Sequence, residues 1–274
     1  MGISVVHFNA EQLQWVPILA DEVVYMGSLV GVDTGAPGEG VSTFPAAAGH
    51  NNTTNKDVPM GVVVGTNVVS GNIAYSTTYN CEYITQTAAG APYGSTTSYQ
   101  PIEGDNPIGD RQAMAQIHRI TSETVLRAPL FNAAYGTAPT VVTVSTASGG
   151  DGIGCTTGAT DVACVNDFGT IFARDGANRG IYRSIDTSNA TAHVWTEAMP
   201  ADMAVGDTCV VINGLRPYGY SKMQLDSEAT YIDINAALSS HNHHIDVRRL
   251  DLSVAGSEYV EFTFFPETFC TTRA

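Results

Sequence analysis

Apolar and polar residues alternate with a period close to two along most of the chain, the pattern that strands impose. Val23, Tyr25, Leu29 and Val32 form a short alternating stretch around Gly27. Val62-Val63-Val64 is a β-branched run bounded by Gly61 and Gly65, and it predicts a buried strand. Residues 140–145 (TVVTVS) predict another, as do residues 209–212 (CVVI), which are followed by the turn signal Asn213-Gly214. Four candidates crowd the C-terminal part: residues 231–234, 245–247, 250–254 and 258–265. Their polar residues alternate with apolar ones, as in sheets with one wet face. Between residues 170–172 and 181–183, the segment 174–180 predicts a hairpin loop, and Gly206-Asp207 reads as a turn leading into CVVI.

Helical signal is sparse. Residues 110–120 (DRQAMAQIHRI) predict one helix, with Asp110 as its cap and Ala113, Met114 and Ile117 on one face. A second short turn is expected over residues 197–203, interrupted by Pro200. Long stretches rich in Gly, Thr, Ser, Asn and Ala cover residues 33–57, 85–106 and 145–158, and read as arms or contact loops. The fold class expected is all-β with very little helix. The division expected is an N-terminal arm (1–19), a small β-barrel or sandwich domain (20–85), a linker (86–109) containing Pro92, Pro101 and Pro107, and a larger β-rich domain (110–274).

Charge narrows the function classes. The 274 residues carry 12 Lys+Arg against 27 Asp+Glu, a formal net charge of −15. Such a surface argues against a nucleic-acid partner, which needs a basic face, and against docking on an anionic membrane. No run reaches the roughly 18 apolar residues of a spanning helix. The first residues have neither a basic start nor a long apolar stretch, so no ordinary secretory signal is expected. Lysine occurs only as Lys56 and Lys222, which suits a protein that stays soluble at high local concentration.

Candidate chemistry is thin. His241, His243 and His244 lie in SSHNHHID, where an i, i+2 spacing on a strand would let His241 and His243 share a metal, with Asp233 or Asp246 adding an oxygen. A polar loop at a sheet edge accounts for the same residues, and it is the reading preferred. Glu258 and Glu261 fall on opposite faces of their strand, and Asp246 and Asp251 fall on neighbouring candidate strands, so no acid–base carboxylate pair is expected. Nucleophile-elbow, phosphate-loop and zinc-protease motifs are not found, and Asp151-Gly152-Ile153-Gly154 lacks calcium-loop spacing. The five cysteines, Cys81, Cys155, Cys164, Cys209 and Cys270, are irregularly spaced; a Cys155–Cys164 bridge is one reading, and scattered buried thiols are the preferred one. Asn51, Asn52 and Asn189 begin sequons that chance explains in a threonine-rich chain. No catalytic, cofactor-binding or metal residue is therefore assigned.

Residues 20–30 (ADEVVYMGSLV), a Gly/Thr/Ala-rich stretch, and residues 58–65 (VPMGVVVG) resemble capsid decoration (cement) proteins of tailed bacteriophages. Such proteins similarly pair an early strand with a later GVxxG strand across a polar loop, closing a small barrel. The resemblance covers about the first 85 residues. It implies a non-enzymatic virion structural protein on the outer capsid surface, clamping the major capsid protein and self-associating as a homotrimer or other homo-oligomer. It also implies a mobile arm (1–11) that lies across a neighbour by strand addition. A phage tail component is the nearest alternative. A carbohydrate-binding adhesin module is another, with Trp15, Trp195, Tyr218 and Tyr220 as candidate stacking residues.

Overall fold

The alternating pattern is realised as strands nearly throughout. The computed structural model describes residues 2–18, 22–32, 40–44, 58–67, 73–85, 114–131, 139, 141–147, 150–158, 169–189, 191–235 and 243–269. Among them the helical turns are two short 3-10 turns, Ala10–Gln12 and Pro266–Phe269, and no helix is long and apolar enough to cross a membrane. The chain divides into two compact units: residues 1–128 with 225–231 and 264–274, and residues 129–224 with 232–263. The linker expected at 86–109 lies outside the described residues, and the first passage between units falls at Ala128/Pro129 instead.

In the first unit the strands are β1 (Ser4–Val5), β2 (Leu13–Pro17), β3 (Val23–Tyr25), β4 (Leu29–Val32), β5 (Ser42–Thr43), β6 (Val58–Asn67), β7 (Ile73–Ser76), β8 (Cys81–Thr85), β9 (Met114–Arg119) and the start of β10 (Leu126–Phe131). Strands β2-β9-β6-β4-β5 form one sheet and β3-β8-β7 another. The GVVVG run is the centre of β6. It pairs antiparallel with β4, Leu29 opposite Val62 and Val30 opposite Gly61. Val16, Val30, Val63, Ile84 and Ile117 meet in the core between these strands.

The expected helix over 110–120 is a strand in its described part. Strand β9 runs between β2 and β6, and Met114, Ala115, Ile117 and His118 are all buried. A central strand covered on both faces carries apolar residues at both parities, and this run imitates an i, i+3 helical face. The expected mobile arm is likewise part of the unit. Ile3 is buried, Ile3 N donates to Gly27 O at 2.9 Å, Val6 N donates to Val125 O at 2.9 Å, and β1 pairs with β10. Asn9 N donates to His118 Nε2 at 3.0 Å, which anchors the chain just before β2.

The second unit holds β11 (Val141–Ala147), β12 (Gly154–Thr157), β13 (Gly169–Ala173), β14 (Tyr182–Ser188), β15 (Ala192–Trp195) and β16 (Thr208–Asn213). These six close into a barrel in the order β11-β12-β15-β14-β13-β16. The closed barrel is therefore built from residues 141–213, and not from the 20–85 stretch, whose described strands belong to the two sheets of the first unit. Strand β11 alternates, with Val142 and Val144 buried and their neighbours wet, whereas β13 is buried at every residue. Trp195 fills the interior and its Nε1 donates to Gly152 O at 2.7 Å. The hairpin read at 174–180 joins β13 to β14. Residues 197–203 are irregular, as Pro200 and the preceding turn require, and carry no helix.

Beyond the barrel come β17 (Gly219–Met223), β18 (Ile232–Asp233), β19 (His243–Asp251) and β20 (Tyr259–Phe264). Strands β10, β20, β19 and β17 are neighbours in that order. The two candidate strands over 245–247 and 250–254 are one strand, β19, so Asp246 and Asp251 share it. Its alternation slips at Arg248-Arg249, where two successive side chains are exposed.

Candidate functional site

The main candidate site of the second unit lies beside the two exposed arginines of β19. Arg248 and Arg249, both exposed, border it together with Tyr182 of β14, Tyr218 in the loop before β17, and Phe172 of β13. With Asp251, these residues line an open depression of about 420 Å³. Tyr182 is fixed twice. Its hydroxyl donates to Leu250 O at 3.0 Å and accepts from Leu252 N at 3.2 Å. Its ring lies against Phe172, with centroids 4.5 Å apart and planes at 38°. Burial raises the Tyr182 phenol above its usual range, so the ring stays neutral. Tyr218 is the contrast, being 75% exposed. Gly219 follows it with φ +83°, a left-handed turn that begins β17 and separates Tyr218 from Tyr220.

The charged groups of the depression are paired. Arg249 Nη2 reaches Asp251 Oδ2 at 3.0 Å, and its guanidinium sits 5.4 Å from the Tyr259 ring centroid. Arg248 Nη2 reaches Asp246 Oδ2 at 3.0 Å. Asp251 Oδ1 accepts from Ser253 Oγ at 2.6 Å and Ser253 N at 3.1 Å. The Ser253 hydroxyl is the main cause that holds this carboxyl below its usual range, so it is ionised at neutral pH. The result is a rigid aromatic wall, an exposed ring and a row of oriented donors and acceptors.

The histidines of the sequence motif do not gather into a centre in the described part. His241 lies outside the described residues. His243 is buried opposite Met223, and His244, its neighbour on β19, stacks edge-on to Tyr220 with centroids 5.2 Å apart. Adjacent strand residues point to opposite faces, which separates these two imidazoles. Among the described residues no three His, Cys, Asp or Glu side chains come together as a metal site. Of the expected stacking residues, Trp195 is core, Trp15 is half-buried in β2, and Tyr220 is occupied by His244.

The remaining motif residues take structural positions. Cys155 and Cys209 are buried in barrel strands and Cys81 is half-buried in β8; Cys164 and Cys270 lie outside the described residues, as do Asn51 and Asn52. Asn189 Oδ1 accepts from Thr191 N and Ala192 N at 2.9 and 2.7 Å, closing the turn between β14 and β15. Glu258 is buried against Arg174, and Glu261 is half-buried on β20. In the first unit, Asp226 accepts from Thr230 N at 2.6 Å and Tyr231 N at 2.9 Å, which ties the 226–231 loop. Burial raises the Asp226 carboxyl above its usual range, against those bonds.

Sequence reasoning missed Tyr182, Arg248, Arg249 and Asp251 as a group. Tyr182 and Leu250 are 68 residues apart, and no local signal joins them. Two adjacent arginines that break an alternating strand pattern were the available clue. No family model matches this chain, and no curated protein or solved structure matches it.

Proposed function

We propose that the chain is a structural protein of a virion, a capsid decoration protein that stabilises the head from outside through contacts with the major capsid protein. The observation that carries the reading is the antiparallel pairing of β4 with the GVVVG strand β6, across residues 33–57. It is the strand pairing that the resemblance to cement proteins implies; the described strands of the first unit form two sheets and not the small barrel also implied. Two further properties support it. The chain is β-built in both units, a scaffold that presents rigid faces and loops for docking. Its net charge of −15 suits an exterior position, because a strongly negative protein facing packaged DNA is repelled. In this reading, the function resides in surface complementarity and in self-association about a local symmetry axis. Co-sedimentation of the full chain with heads assembled from the matching major capsid protein tests the proposal. The chain pellets with heads and stays in solution without them; failure to pellet with heads contradicts it.

A further inference from the structure

We propose that the depression between Tyr182, Tyr218 and the Arg248–Asp251 stretch of β19 is a binding site for a neutral saccharide. The inference goes beyond attachment to a head, and every residue it uses lies in the second unit.

Size comes first. The depression is shallow and broadly open, with a volume of about 420 Å³, as suits one or two sugar rings of a longer chain lying on a surface. Next is the aromatic surface. A pyranose presents a face of C–H groups that packs on an aromatic ring, and such a ring must be accessible and its partners fixed. Tyr218 supplies the accessible ring, at 75% exposure. Tyr182 supplies the fixed one, held by two hydrogen bonds to the Leu250–Leu252 backbone and by Phe172. A tyrosine in this state loses little conformational freedom when a ligand arrives.

Charge decides the ligand class. An anion such as a uronic acid or a phosphate calls for unpaired arginines. Here Arg249 is already neutralised by Asp251, and Arg248 by Asp246. The lining offers N–H donors and carboxylate acceptors side by side, with their charges balanced. A vicinal diol matches that arrangement, because each hydroxyl both donates and accepts. A nucleic acid is disfavoured by the same balance and by the net charge of the chain.

The test uses the full chain and the methyl glycosides of glucose, galactose, mannose and N-acetylglucosamine as probes. Methyl glucuronide is the acidic comparison, and binding is read by saturation-transfer NMR and titration of backbone amides. The expected result is saturable binding of at least one neutral glycoside, with a dissociation constant on the order of 1 mM. Amides of residues 218 and 248–253 shift on binding. Tyr218→Ala weakens binding about tenfold, the size of one aromatic contact, and Tyr218→Phe restores it. Tyr75→Ala, which removes an exposed tyrosine of the first unit, leaves binding unchanged. No binding of any neutral probe, or binding that Tyr218→Ala leaves intact, overturns the site. Preference for the glucuronide overturns the ligand class.

Discussion

Arg174 and Glu258 form a buried ion pair across 84 residues of chain, joining the loop after β13 to the residue before β20. The Glu258 side chain is fully buried and that of Arg174 is nearly so. Among the described residues, Arg174 Nε and Glu258 Oε2 have no hydrogen-bond partner. Such a pair is sensitive to half-removal, because a lone charge left in the interior costs more than the pair contributes. Arg174→Ala is expected to destabilise the second unit by about 3–5 kcal/mol. Replacing both groups, as Arg174→Met with Glu258→Leu, recovers most of that loss. Urea unfolding followed by Trp195 fluorescence, in a Trp15→Phe background, reads the barrel alone.

His193 provides a pH dependence with a definite sign. It is buried in β15, with Nδ1 2.9 Å from Ser188 Oγ, and burial pushes its pKa down to about 4. In the folded chain the neutral ring is favoured, whereas an unfolded histidine titrates near 6.5. The stability this group contributes is complete above about pH 6.5 and is lost as pH falls toward 4, amounting to roughly 3 kcal/mol. Unfolding midpoints of the barrel measured from pH 7.5 to 4 are expected to fall accordingly. His193→Asn flattens the slope, and a slope unchanged in that variant contradicts the assignment.

Gly27 sits where a side chain fails on two grounds. Its φ is +83°, and a Cβ there would lie 2.7 Å from the Gly2 Cα. Gly256 has φ +76°, and a Cβ on it would meet none of the described residues within 4 Å, so it separates strain from crowding. Gly256→Ala is expected to cost about 1 kcal/mol by backbone strain alone. Gly27→Ala costs about 2 kcal/mol or more, because backbone must also shift. Equal losses in the two variants, read from thermal unfolding, contradict the close approach.

How much of the molecule is legible in the residues differs by element. β6 and β16 are readable because glycine or a turn signal bounds a short β-branched run. The hairpin over 174–180 is readable from its local turn chemistry. β9 is not, since burial on both faces erases the period that separates strand from helix. The closed barrel at 141–213 is not legible either, the sequence pattern pointing to a barrel or sandwich over 20–85, and for a different reason. Closure depends on β11 pairing with β16 across the whole unit, Val141 opposite Val210, and nothing local encodes such a partner. The same distance in sequence hides the depression and the Arg174–Glu258 pair, while the histidine motif draws attention through composition alone.

The N-terminal segment is bound into the first unit by β1 and by Asn9. A free arm is removable without harm to the fold. Ile3 is only 2% exposed, and burying a side chain of this size contributes about 2 kcal/mol. Deleting residues 1–11 also removes the β1–β10 pairing and the Asn9–His118 bond. The truncated chain is therefore expected to unfold at lower urea, read by Trp15 fluorescence in a Trp195→Phe background. An unchanged midpoint returns the segment to the role of a loose arm.

The central claim, docking on the outside of a virus head, is tested most directly by the stoichiometry of attachment. Increasing amounts of the full chain are mixed with heads assembled from the matching major capsid protein, and the pelleted ratio is measured. The account predicts saturation at a fixed ratio of chain to capsid protein, with bound chain open to protease added from outside. Absence from the pellet, or uptake that rises without a plateau, contradicts it.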